Sequence, residues 1–147
     1  MPHVPHPDAY AHLSARLQIL DHADHDDHGT PSGRSGAVAV LTLEGELDRW
    51  TVMSPEWTMA LAQVSACAAE AGEVVVLDLR RLYFLDLIGL AELEGLAVLL
   101  AAGGRRLALA GTRPRIREFL RQAGADLGEE YPSAEIDQQR VVASAAA

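Results

Sequence analysis

Residues 74–102 have the sequence VVVLDLRRLYFLDLIGLAELEGLAVLLAA, in which a strand is followed by a helix. The uninterrupted apolar run Val74–Leu79 is typical of a strand that is buried on both faces. We interpret Arg80–Leu85 as the connection that follows this strand. Asp86 is suited to cap the amino terminus of a helix, which we predict over Leu87–Ala102. Because this helix is apolar on nearly all sides, it needs cover on more than one face.

Further strands and helices are predicted on either side of this unit. Strict alternation of apolar and polar residues predicts the first strand, and a continuous apolar run predicts the second. Ser and Pro begin a helix, and glycines end the helices. The predicted elements are strands at Leu13–Leu20, Ala37–Leu43 and Arg106–Ala110, helices from Ser54 to Gly72 and from Arg113 to about Ala123, and a weak strand or short helix signal between Asp126 and Asp137.

The order of these elements predicts an α/β fold. After two consecutive strands, helices and strands alternate, which calls for parallel strands joined by right-handed crossovers. The two consecutive strands allow antiparallel pairing, and the sheet is then mixed. We expect one domain with four to five strands and three to four α-helices. We assign residues 1–12 to a flexible amino-terminal tail, residues 13–132 to the domain with a His/Asp-rich loop at 21–36, and residues 133–147 to a carboxyl-terminal tail.

Composition and charge exclude several classes of function. The 147 residues carry a net charge of −9, which argues against binding to nucleic acid or to an anionic membrane. All twelve basic residues are Arg, so mechanisms that need a lysine amine are excluded. The single cysteine, Cys67, cannot form an internal disulfide, and we expect it to be a buried small side chain in a reducing compartment. With no signal peptide and no uninterrupted apolar span, we expect a cytoplasmic protein.

Several short motifs in a fixed order resemble those of one family, the STAS domains of bacterial anti-sigma factor antagonists. The resemblance covers residues 34–127. It rests on the ordered set and spacing of the motifs, which are Gly45-Glu46-Leu47-Asp48, the Asp-Leu ending of Val74–Leu79, Leu85-Asp86-Leu87-Ile88-Gly89-Leu90, Gly103-Gly104-Arg105-Arg106-Leu107 and Gly124-Ala125-Asp126.

This resemblance implies a protein partner and a phosphorylation switch. In such proteins an anti-sigma factor, often an ATP-dependent kinase, binds near the start of the second helix and phosphorylates a Ser or Thr directly after an Asp. Here Leu87 follows Asp86 and Ile88 comes next, so neither position carries a hydroxyl. A phosphate would add about −1.5 to −2 charges, whereas Leu87 keeps this surface neutral. A constitutive antagonist, a scaffold without a switch, and a copy that has lost its partner are three interpretations.

The candidate partner-binding residues come from two segments. Leu87 and Ile88 are about 100° apart on a helix, so we expect one to be exposed and the other to lie in the core. Trp50, in the loop after the second strand, is either an interface anchor or a cap on the edge of the core. The full candidate set is Asp48, Arg49, Trp50 and Thr51 in the loop, and Asp86, Leu87, Ile88 and Gly89 at the helix start.

Histidines and carboxylates alternate in the loop at 21–36 and invite a metal site. His22, His25 and His28 would align as ligands only in a helix, and the Asp-rich, Gly-containing segment favours a loop. A solvated acidic loop is therefore our interpretation, with these three histidines as the only metal candidates. We expect no cofactor.

An enzyme fits the sequence poorly. All six histidines lie within residues 3–28, outside the predicted core, and none of the motifs Gly-x-Ser-x-Gly, His-Glu-x-x-His or Cys-x-x-Cys occurs. We predict a non-enzymatic regulatory module that binds an anti-sigma factor or a kinase-like ATPase. The alternative is a STAS-like sensor or scaffold subunit that binds a small molecule or assembles in a larger signalling complex.

Overall fold

The computed structural model describes residues 12–20, 37–67 and 72–145. Five strands and four helices alternate through most of this part of the chain, and a 3-10 turn at Thr51–Met53 follows the second strand. The elements are β1 Leu13–Leu20, β2 Val38–Leu47, α1 Pro55–Ala66, β3 Val74–Leu85, α2 Leu87–Ala102, β4 Arg106–Ala110, α3 Pro114–Gln122, β5 Glu129–Glu130 and α4 Ser133–Ala145.

The five strands form one mixed sheet in the order β1-β2-β3-β4-β5. β1 runs antiparallel to β2, and every other neighbouring pair is parallel. The α/β class, the mixed sheet and the numbers of strands and helices are thus confirmed. Each parallel pair needs a crossover, which α1, α2 and α3 supply.

Side chains alternate between the two faces of the sheet. One face carries Leu41 and Leu77, which belong to the main core with the buried residues of α1, α2 and α3. The opposite face carries Val40 and Val76, which form a smaller core with Ile136 of α4. The central strands are therefore buried on both faces, as their continuous apolar runs predict.

A buried tryptophan links α1 to α2. Trp57 is almost fully buried, and its Nε1 donates to Oε2 of Glu92 at 2.9 Å. This bond gives Glu92, one of the two acidic residues of α2, a partner and satisfies the indole N–H. Cys67 is buried and unpaired with another cysteine, as predicted, and its Sγ donates to the Val64 carbonyl at 3.2 Å.

The second and third strands are longer than predicted. β2 continues to Leu47, and β3 continues through Arg80–Leu85, which we had interpreted as a connection. Two register shifts, opposite Thr42–Glu44 and Gly45–Glu46 of β2, each add one residue to β3 and keep the ladder paired as far as Leu85. Bulges of this kind preserve pairing while the side-chain alternation breaks, which is why the pattern did not indicate a strand.

The carboxyl-terminal segment also differs from expectation. Residues 133–147 were assigned to a tail, whereas Ser133–Ala145 forms α4. Ile136 is fully buried against the sheet, and Arg140 donates to Oε1 of Gln18 at 3.1 Å and to Oγ1 of Thr42 at 3.0 Å. Ile136 and Arg140, together with an ion pair between Asp137 and Arg80 of β3, therefore hold a helix whose composition is mostly polar and Ala-rich. No helix within the described residues is long and apolar enough to span a bilayer.

Candidate functional site

The loop after β2 and the start of α2 are joined by the carboxylate of Asp86. Its Oδ1 accepts from the Gly89 N–H at 2.7 Å, which confirms the predicted helix cap. Its Oδ2 accepts from the Arg49 N–H at 3.1 Å, and its own N–H donates to the Leu47 carbonyl at 3.4 Å. One side chain thereby caps the helix and anchors the loop beside it.

Gly89 lies where α2 comes closest to the end of β2. A Cβ built on Gly89 would lie 2.1 Å from the Leu47 carbonyl oxygen, so a larger residue would force the two backbones apart. Gly89 is buried and offers no side chain to a partner. Among the predicted contact residues, it acts in the structure as a packing position.

Asp48 and Thr51 shape the loop from within. Asp48 Oδ1 accepts from the N–H groups of Trp50 at 2.9 Å and Thr51 at 3.0 Å, and Thr51 Oγ1 accepts from the Asp48 N–H at 2.9 Å. Both side chains are buried. The structure therefore places these two candidates beneath the surface, because the tight loop uses their polar atoms to satisfy its own backbone.

Four apolar side chains are exposed around this framework, and we call them the α2 patch. Leu87 is 67% exposed, Ile88 47%, Trp50 65% and Met53 83%. The expectation that either Leu87 or Ile88 lies in the core is wrong. The buried face of α2 begins with Gly89, so neither of its first two residues is enclosed by the described part of the chain.

Trp50 lies on the surface, as an interface anchor would, and does not cap the core. The guanidinium of Arg49, which is itself exposed, lies 4.7 Å from the centroid of the indole ring. This cation–π contact supports the indole on one side while most of the ring remains accessible.

Sequence reasoning missed a second apolar surface, which comes directly before Asp86. Tyr83 and Phe84 are about half exposed, and the guanidinium of Arg113 lies 4.4 Å from the Tyr83 ring centroid. A cavity of about 320 Å³ separates this end of β3 from α3, lined by Tyr83, Phe84, Leu85, Arg115, Ile116 and Phe119. The run of four apolar residues at 82–85 was the available signal, since one face of a strand cannot bury all four.

Three hydroxyls that lie at or just before the starts of helical segments are buried or engaged. Thr51 and Thr112 are buried. The Ser54 Oγ accepts from the Trp57 N–H at 3.4 Å and caps α1, as predicted. Each of these three residues is therefore less exposed to solvent than Leu87.

The metal candidates His22, His25 and His28 lie outside the described residues. Within residues 12–20, 37–67 and 72–145, no group of three or more His, Cys, Asp or Glu side chains is arranged to hold a metal ion.

Comparison with known proteins agrees with this architecture. The family model described as "Mlab, STAS domain" matches residues 32–127, well over half of the chain. The solved structure of the anti-sigma factor antagonist SpoIIAA in its unphosphorylated form is 23% identical, with 71% of this chain and 88% of that chain covered and a TM-score of 0.50.

An anti-sigma factor antagonist from Mycobacterium paratuberculosis is 21% identical, with 88% and 93% covered and a TM-score of 0.55. The comparison with curated proteins found no match. At these identities the solved structures establish a shared fold, and the family model establishes membership. The chain belongs to the STAS domain family.

Proposed function

We propose that this chain is a non-enzymatic regulatory module that binds an anti-sigma factor or a kinase-like ATPase through the α2 patch. The observation that carries the proposal is the exposure of Trp50, Met53, Leu87 and Ile88 around a backbone that Asp86 holds in place. The structural neighbours are themselves anti-sigma factor antagonists, which supports this kind of partner.

The physical case for a protein partner rests on apolar exposure and rigidity. Large apolar side chains that are exposed together cost free energy in water, and covering them recovers roughly 25 cal/mol for each Å² buried. Tryptophan is among the residues that contribute most at protein interfaces. The loop and the helix start are already fixed by Asp48, Thr51 and Asp86, so little entropy is lost in ordering the backbone when a partner binds.

We further propose that this surface works without a phosphorylation switch at position 87. Leu87 cannot accept a phosphate, and a dianion there would lie beside the Asp86 carboxylate. The hydroxyls of Thr51, Ser54 and Thr112 are buried or engaged, so none of these three offers an evident substitute. The patch therefore stays in a neutral, binding-competent state, as a constitutive antagonist requires.

This role places the protein in the cytoplasm and in transcription regulation, with neither nucleic acid nor membrane as a direct partner. The net charge of −9 opposes both anionic polymers and anionic lipid surfaces. The alternative role, a sensor or scaffold subunit of a larger complex, does not require the α2 patch.

The test compares three baits in affinity capture from lysate of the source bacterium. Wild type is compared with Leu87→Glu, which introduces a charge at the patch, and with Val141→Glu. Val141 is 69% exposed on α4, across the sheet from α2, and provides a matched control. Circular dichroism checks that all three baits are folded.

We expect wild type and Val141→Glu to enrich the same anti-sigma factor or kinase-like ATPase, and Leu87→Glu to lose it. The identified partner is then purified, and calorimetry should show affinity reduced at least about tenfold by Leu87→Glu, the loss expected for one central contact. If all three baits capture the same proteins, or none, the α2 patch is not the working surface and the alternative role takes precedence.

A further inference from the structure

A polar cleft lies on the face of the sheet opposite α1 and α2, beside α4. Its volume is about 420 Å³, within the range of small-molecule sites. All nine lining side chains are polar or charged, and we call this site the arginine cleft. Its lining consists of Ser14, Arg16, Thr42, Glu44, Asp78, Arg80, Arg81, Asp137 and Arg140.

The cleft is built by strand register. Arg16 of β1 is opposite Thr42 of β2, and Thr42 is opposite Asp78 of β3. In the next row Ser14 is opposite Glu44, and Glu44 is opposite Arg81. Two rows of polar side chains therefore occupy the face on which the neighbouring rows carry the smaller apolar core under α4.

Most of the charges in the cleft are already paired. Arg80 donates to both carboxylate oxygens of Asp78, at 3.0 and 2.8 Å, and to both of Asp137, at 2.9 and 3.1 Å. Arg81 lies 3.6 Å from Glu44. Burial raises the pKa of Asp78, but the hydrogen bonds and charge of Arg80 and the charge of Arg140 outweigh it and hold that pKa below its ordinary value. All three carboxylates thus have a cationic partner.

The two guanidiniums next to Thr42 are the least paired with carboxylates. Arg140 donates to the neutral oxygens of Gln18 and Thr42, and its ion pair, at 3.6 Å, is with Asp78, which also accepts two hydrogen bonds from the Arg80 side chain. Arg16 is exposed and forms no ion pair with a described residue. Four arginines against three carboxylates leave the cleft with one excess positive charge, in a chain whose net charge is −9.

We propose that the arginine cleft binds the phosphate group of a small, polar molecule, with Arg16 and Arg140 as the cationic ligands and the hydroxyls of Ser14 and Thr42 beside them. Guanidinium forks match the oxygens of a phosphate in geometry and charge. Arg140 is ordered before any ligand arrives, which lowers the cost of binding. No aromatic or aliphatic side chain lines the cleft, so it offers no platform for a nucleobase or an acyl chain.

The proposal is tested by titrating the full chain with inorganic phosphate at neutral pH and constant ionic strength, with calorimetry or amide NMR shifts as the readout. Arg16→Gln removes one ligand from an exposed position. Arg115→Gln makes the same change in charge on α3, outside the cleft. Arg16→Lys keeps the positive charge but loses the planar guanidinium that can donate two parallel hydrogen bonds. Leu87→Glu changes the α2 patch and leaves the cleft lining unchanged.

We expect saturable binding to wild type, Arg115→Gln and Leu87→Glu. We expect the dissociation constant to rise about tenfold or more in Arg16→Gln, which is the loss of one charge-assisted hydrogen bond, with an intermediate value for Arg16→Lys. Equal constants for all variants, or no saturable binding in the millimolar range, would overturn the proposal. Succinate binding as tightly as phosphate would overturn the assignment of phosphate. Because Leu87→Glu leaves the cleft intact, failure here is distinct from failure at the α2 patch.

Discussion

The α2 patch and the arginine cleft lie on different parts of one sheet and use polar groups in opposite ways. At the patch, Asp48, Thr51 and Asp86 turn their oxygens inward to backbone N–H groups, and the exposed side chains are apolar. In the cleft the strand ladder satisfies most of the backbone. The Arg80 N–H, beside a bulge in β3, instead donates to Asp78 Oδ1 at 3.2 Å, and the other polar side chains are directed at each other and at the open space.

This contrast shows how secondary structure decides what a surface can offer. A tight loop and a helix start leave N–H groups without partners, so nearby polar side chains are used to satisfy them. A strand interior has no such need, so its polar side chains remain available to each other or to a ligand. A protein-binding surface and an ion-rich cleft can therefore arise from the same small sheet.

Gly89→Ala should have the largest effect, because it disrupts the packing of α2 against β2 beneath the α2 patch. The new Cβ would lie 2.1 Å from the Leu47 carbonyl oxygen, and backbone atoms cannot yield cheaply. We expect a loss of about 3 kcal/mol in the free energy of unfolding, the size of a severe overpacking change. Urea denaturation measures it.

Gly95→Ala is the matched control on the same helix. A Cβ at Gly95 meets nothing within 4 Å, so the higher helix propensity of Ala should raise the free energy of unfolding by about 0.5–1 kcal/mol. If both substitutions shift stability by similar amounts in the same direction, the close approach of α2 to β2 is not what Gly89 permits.

Asp86→Ala separates the framework of the patch from its exposed side chains. The substitution removes the hydrogen bonds that the carboxylate accepts from the Gly89 and Arg49 N–H groups. We expect the free energy of unfolding to fall by about 1–2 kcal/mol. Asp86→Asn keeps one acceptor oxygen, so the free energy of unfolding should fall by less than in Asp86→Ala. Trp50→Ala, at an exposed position, should leave the free energy of unfolding almost unchanged and weaken partner binding instead. Equal unfolding midpoints for the two Asp86 variants would contradict the double role of this carboxylate.

Local signals made several parts of this fold predictable from sequence. The bounds of α2 and β4 were predicted to the residue, because Asp86 caps one end of α2 and the Gly103-Gly104 pair ends it. The strand at Arg80–Leu85 was missed because two bulges lie in β3 itself, between Asp78 and Arg81 and between Leu82 and Phe84, and they break its side-chain alternation.

The rest depends on contacts between residues distant in sequence. α4 was missed because its one deep anchor, Ile136, stands among polar and small residues, and its bonds from Arg140 reach strands about 100 residues earlier. Helical periodicity alone suggested that Leu87 or Ile88 is buried. It could not show that the buried face of α2 begins only at Gly89, which leaves Leu87 and Ile88 exposed.

The smallest effect that we expect is a pH-dependent change in stability from the Arg80–Asp137 ion pair of the arginine cleft. Hydrogen bonds from Arg80 lower the pKa of Asp137 below its ordinary value of 3.8, and the ion pair ties α4 to the sheet. A carboxyl whose pKa is lowered by folding contributes stability that is fully present above the unfolded value and is lost as the pH falls through the folded value. The Asp137→Asn variant should therefore melt about 1–2 °C below wild type at pH 7, and this difference should vanish in acid.

The same titration separates the two regions, because the patch framework does not include this ion pair. Amide hydrogen exchange, compared between wild type and Asp137→Asn at pH 7, should show faster exchange in α4 and unchanged exchange in the first turns of α2. Glu94→Gln, at an exposed carboxylate on α2, is the control and should leave both helices unchanged. A melting difference that persists below the folded pKa of Asp137, or a loss of protection spread equally over both helices, would show that the Arg80–Asp137 pair is not what holds α4 in place.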